Sequence, residues 1–118
     1  MLILNIGLES RSDDKYPKDR TLRESMCLAC IYREFIHIGK VALQHSNTEP
    51  TVVVTIEQDK LEYDHLTLCD IFRQDAIAIY NTHSRVGYIK GPRKGSMAFL
   101  REFFVLPCGR RLADVPYL

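Results

Sequence analysis

The sequence predicts an α+β fold of β-α-β-β-α-β order, and three observations predict it. Residues 2–8 alternate Leu2, Leu4, Ile6 and Leu8 against Ile3, Asn5 and Gly7, a period of two that marks a strand with one face on a core. Thr21-Leu22-Arg23-Glu24 has the spacing of a capping box and opens a run of helical period. Thr51-Val52-Val53-Val54-Thr55-Ile56-Glu57 is a β-branched strand preceded by the turn residues His45-Ser46-Asn47-Thr48-Glu49-Pro50.

The elements follow in chain order. Met1 to Leu8 is the first strand. Ser10 to Arg20 is polar, holds Pro17 and reads as a loop. Leu22 to Glu34 is the first helix, with Leu22, Met26, Ala29, Cys30 and Arg33 at helical spacing. From Phe35 to Gln44 the period returns to two, with Phe35, His37, Val41 and Leu43 on one side and Gly39 marking a bulge. This strand and Thr51 to Glu57 form a hairpin. The alternation of Val52, Val54 and Ile56 is broken by Val53, which implies partial cover on the second face.

Asp64 or Thr67 caps a shorter helix through Arg73 that buries Leu68, Ile71 and Phe72. Ala76 to Tyr80 is a buried strand, Asn81 to Arg85 a turn and Val86 to Lys90 the returning strand. Gly91 to Gly95 is a loop. Phe103 to Leu106 is a last strand, followed by the turn Pro107-Cys108-Gly109-Arg110. The order matches a split βαβ, or ferredoxin-like, sheet with two helices on one face and a C-terminal β extension, in a single domain spanning 1–118.

Composition bounds the rest. A chain of 118 residues with 46% hydrophobic and 26% charged side chains has enough apolar surface for its own core and too much for a disordered tail. Its apolar runs are strand-sized, far short of the ~20 residues of a membrane helix. The apolar N-terminus lacks a basic lead-in and a small-residue cleavage site, so it reads as a strand of a cytoplasmic protein. The four cysteines Cys27, Cys30, Cys69 and Cys108 are then expected to be reduced.

Cys27-Leu28-Ala29-Cys30 falls in the second helical turn, past the position where a helix dipole activates a thiol, and no second cysteine pair completes a zinc site. We read it as packing and expect neither metal nor cofactor. Glu62, Asp64, His65 and Asp70 gather near the second helix, where carboxylates suit its positive end. His45 to Glu49 is turn chemistry first. Ser46, Thr48 and Glu49 are also candidate ligand contacts, and a small hydrolase or transferase built on this loop, or on His65 and its carboxylates, is the catalytic alternative.

Charge distribution carries the main functional expectation. Residues 1–84 hold 9 Lys/Arg and 13 Asp/Glu, a net of −4; residues 85–118 hold 7 and 2, a net of +5. The C-terminal third therefore predicts an electropositive face. Lys90-Gly91-Pro92-Arg93-Lys94-Gly95 is a basic loop without the order of a P-loop. Tyr80, Tyr88, Phe99 and Phe103 interleave with the charges, as stacking platforms for single-stranded nucleic acid do, or as core. The resulting expectation is a non-enzymatic binding module. Its ligand-binding residues are Arg85, Arg93, Lys94, Arg110 and Arg111, and its partner is an acidic protein or a phosphate-bearing nucleotide or RNA. The remaining alternative is an assembly subunit, for instance a homodimer, pairing through sheet edges.

Overall fold

In a computed structural model of the chain, residues 1–9, 19–46, 49–92, 95–97 and 99–118 are described, those at 46 and 95–97 by backbone alone. The sequence Leu2–Gly7 forms β1, Arg20–Phe35 α1, Gly39–Ser46 β2 and Glu49–Ile56 β3. His65–Ile71 forms α2, Ile77–Asn81 β4, Val86–Gly91 β5 and Gly95–Met97 β6. The protein is α+β, with an antiparallel six-stranded sheet in the order β2-β3-β1-β4-β5-β6. Because β1 runs antiparallel to β3 and β3 to β2, β1 and β2 are parallel with β3 between them. By the same reasoning β3 and β4 are parallel with β1 between them.

Several local expectations are corrected. Asp19, not Thr21, caps α1: its carboxylate accepts from Leu22 N at 3.1 Å. An aspartate is at least as good a cap as a threonine, and starting there lets Arg20 pair with Glu24 and Glu9 at 3.0 and 3.2 Å. The buried stripe of α1 is Ile31 and Phe35, with half-buried Cys27 and Leu28, whereas Leu22, Met26, Ala29 and Arg33 face outward. Phe35 belongs to the helix rather than the following strand and meets Phe72 with ring centroids 5.7 Å apart. Gly39 is no bulge, since β2 pairs with β3 without a break from Gly39↔Ile56 to Ser46↔Glu49. The hairpin thus runs further into the His45–Pro50 segment than its turn residues suggest. Asp64 does cap α2, accepting from Thr67 N at 2.7 Å.

The sheet buries both faces. On one, Leu2, Leu4, Ile6, Val52, Val54, Ile56 and Ile77 pack against Ile31 and Phe35 of α1, Leu68 of α2 and Phe72 just after it. On the other, Ile3, Val53 and Tyr80 pack under Phe104, Val105, Leu106, Leu112 and Val115 of the C-terminal segment. That segment is not a strand. A 3₁₀ turn at Arg101–Phe103 precedes it, a second closes it at Leu112–Asp114, and its one β-bridge joins Val105 to Arg111. The reason lies in β1: the Asn5 side-chain amide donates to Val105 O at 2.9 Å and accepts from Val105 N at 2.8 Å. A side chain thereby takes the place of a neighbouring strand. Gln44 Nε2 adds a bond to Pro107 O at 2.8 Å. The predicted turn 107–110 is present, closed by Gly109 N to Leu106 O at 2.9 Å.

The loop expected at Gly91–Gly95 is shorter than predicted, because Ile89, Lys90 and Gly91 of β5 pair with Met97, Ser96 and Gly95 of β6. Gly91 has a steric role there: a Cβ would lie 1.5 Å from the Asp75 carbonyl oxygen. No helix among the described residues is long and apolar enough to cross a membrane.

Candidate functional site

Four basic residues of the C-terminal third, Arg85, Arg101, Arg110 and Arg111, gather around the backbone of residues 112–118. Asn81 Oδ1 accepts from His83 N and Ser84 N, bending the chain so that Arg85 takes a left-handed conformation with φ of 59°. A non-glycine residue pays about 1 kcal/mol or more for this geometry. The guanidinium recovers bonds: Nη2 donates to Pro116 O at 2.8 Å and Nε to Leu118 O at 3.3 Å. Half-buried Arg101 donates to the main-chain oxygens of Leu112, Val115 and Leu118 at 3.3–3.4 Å and lies over the Tyr80 ring. The Tyr80 hydroxyl donates to the same Leu118 oxygen. Arg110 Nη2 donates to Asp114 O at 3.0 Å, and Arg111 forms an ion pair with the Asp114 carboxylate at 3.2 Å.

Carbonyl oxygens satisfy donors without cancelling charge. Among the described residues Arg111–Asp114 is the one side-chain ion pair of this region, and the oxygens of Pro116, Leu112, Val115 and Asp114, which take bonds from Arg85, Arg101 and Arg110, are neutral main-chain groups. A guanidinium has five donors. The bonds named for Arg85 use two of them and that for Arg110 uses one. Beside this rim a cleft of about 330 Å³ opens between the sheet and the C-terminal segment. Its walls are mainly apolar, with Ile3, Thr55, Leu106 and Val115 along them and Cys108 and Arg110 at the exposed end.

The other predicted contacts divide. Arg93, Lys94 and Thr48 lie outside the described residues, and Ser46 is placed by backbone only. Strand alternation sets His45 with Leu43 and Val41 on the helix side of the sheet, and Glu49 with Thr51 and Val53 on the other. The loop therefore does not bring His45 to Glu49. The Glu49 carboxylate fills the space beside Gly7, where a Cβ would lie 2.2 Å from Oε1. Burial, reinforced by the charge of Glu9, raises its pKa above the usual carboxylate value.

His65 Nε2 lies 2.5 Å from Ile77 O. Burial, with Lys90 nearby, pushes its pKa below the ordinary imidazole value, which suits a neutral ring donating to that carbonyl. Its neighbour Asp64 is engaged in capping α2. Both side chains have structural partners.

The C-x-x-C pair joins the two helices. Cys27 Sγ lies 3.7 Å from Phe72 O and 3.6 Å from Gln74 Nε2, and Cys30 Sγ lies 4.0 Å from Ile71 O. Burial, with Cys30 beside it, pushes the Cys27 thiol up to about 11, opposite to what a redox nucleophile needs. All four cysteines are free. Among the described residues no three His, Cys, Asp or Glu side chains are grouped to hold a metal ion.

The aromatic residues also divide. Tyr80 is buried and stacks on Phe99 with centroids 5.8 Å apart, so both are core and not platforms. Tyr88 and Phe103 are exposed, and Lys90 Nζ sits 4.9 Å above the Tyr88 ring. The residues that sequence reasoning missed are Arg101 and Asn5. Their partners are main-chain groups far along the chain, and side-chain spacing carries no trace of such partners. The chain matches no family model, and comparison with curated proteins and with solved structures yields no match.

Proposed function

We propose that the protein is a non-enzymatic binding module that recognises an anionic partner through its C-terminal third. The observation that carries this reading is the gathering of Arg85, Arg101, Arg110 and Arg111 around residues 112–118, where the one carboxylate side chain they pair with is that of Asp114. Arg85, Arg110 and Arg111 are exposed. The planar fork of arginine suits phosphate or carboxylate, and the adjacent cleft offers an apolar seat for whatever part of the partner is uncharged. We also read the unit from β1 to β4 as the split βαβ, ferredoxin-like arrangement. The interleaving of β3 between β1 and β2, and of β1 between β3 and β4, supports it. That arrangement hosts many functions and does not select this one.

The test is anisotropy of a labelled oligouridylate and, separately, of a labelled oligoglutamate, titrated with protein over a range of salt. Whichever probe binds should weaken steeply with salt. Arg110→Glu should reduce affinity at least about tenfold without altering the circular dichroism, since an exposed loop charge adds little stability. Arg93→Glu with Lys94→Glu, in the same assay, measures what the 90–95 loop adds. Binding that ignores both salt and Arg110→Glu contradicts the reading.

A further inference from the structure

The two edges of the sheet differ. The β6 edge is three residues long, whereas the β2 edge is eight. Exposed edges are normally blunted by shortness, proline, a bulge or several charges, because their unpaired N–H and C=O groups recruit other strands. β2 has none of these. Its register is unbroken, it contains no proline, and its one lysine or arginine is Lys40. It also carries Leu43, 47% exposed on the helix side. Among the described residues no strand lies beyond it.

We propose that a second copy of this chain pairs with β2, the two strands running antiparallel about a two-fold axis normal to the sheet. Such an axis places residues of the same face opposite each other, which leaves two central registers. Centred on Leu43, Leu43 meets Leu43, Val41 meets His45 and Lys40 meets Ser46. Centred on Ala42, Val41 meets Leu43 and Lys40 meets Gln44. In both, an apolar pair forms on the helix side and each lysine faces a neutral residue, so self-pairing brings no like charges together. The pairing is isologous and closes at two copies through this edge. It lies on β2, apart from the arginine rim, and does not depend on what that rim binds.

Sedimentation velocity of the whole chain from about 1 µM to about 1 mM, a range spanning weak to moderate affinities, tests the proposal. The expected result is a reversible shift from 13.6 kDa to twice that mass that salt barely changes. Leu43→Lys should return the protein to monomer, and Tyr88→Lys, an exposed position on β5 at the other side of the sheet, should not. Amide exchange on the unmodified chain provides a second measure: protection within 39–46 should rise with concentration. A monomer at the highest concentration overturns the proposal, as does a dimer whose β2 amides gain no protection.

Discussion

The two faces of the sheet are buried by different means. The helix side is closed by apolar side chains of regular elements: Leu4, Ile6, Val54, Ile31, Phe35 and Leu68 meet with their backbones already paired. The other side is closed by an irregular segment whose backbone must find partners elsewhere. Asn5, Gln44, Arg85 and Arg101 supply them, each bonding to main-chain groups between residues 105 and 118. An irregular cover thus needs polar residues inside the sheet face and cations at its rim. Four arginines, Arg85, Arg101, Arg110 and Arg111, meet where the backbone is irregular.

The comparison is most severely tested by truncating one large residue on each side. Leu4→Ala and Leu112→Ala both empty fully buried sites, at a cost of roughly 2–5 kcal/mol in a well-packed core. Leu4→Ala should lower the denaturation midpoint of the whole domain. Leu112→Ala should mostly speed amide exchange within 104–118, because an irregular cover opens locally before the sheet does. Equal loss of global stability from both would show that the two faces unfold as one unit.

A smaller effect isolates the polar clip. Asn5→Leu fits a strand and adds apolar bulk, yet leaves the Val105 N–H and C=O without partners under buried Phe104 and Leu106. The expected cost is about 1–3 kcal/mol in chemical denaturation, from the unsatisfied backbone. A neutral or stabilising result would mean that apolar packing alone seats the segment.

These contrasts explain what the sequence reveals. The helix side was legible because period-two and period-3.6 patterns record regular elements facing one core. Val53 even signalled cover on the second face, and it is fully buried there. One ambiguity blurs the reading of α1. Leu22, Met26 and Ala29 form one apolar stripe and Cys27, Ile31 and Phe35 another, and period alone does not choose between them. Phe104-Val105-Leu106 reads as a strand because all three are apolar, but all three are buried together against one face without alternation. Asn5 and Gln44 read as solvent-facing for the opposite reason. Of the candidate site, the charge excess was visible, but its use of main-chain oxygens as partners was not.

The smallest effect concerns pH. Folding raises the pKa of Glu49 through burial and the neighbouring Glu9 charge, so the folded state binds its proton more tightly than the unfolded one. Its favourable contribution is full below the unfolded pKa and is lost as pH rises through the folded value. Glu49→Gln should therefore raise the midpoint slightly at pH 7, and the difference should vanish below about pH 4. A variant destabilised at pH 7 would show that the carboxylate is held by favourable partners instead.

The claim that the irregular face presents usable positive charge is tested most directly by following arginine Nε–Hε resonances while inorganic tripolyphosphate is added. The account predicts saturable shifts at Arg85, Arg110 and Arg111, suppressed by about 0.5 M salt. Arg23 and Arg33, on α1, should stay in place. Shifts as large on α1 as around residues 112–118, or none at either place, would contradict it.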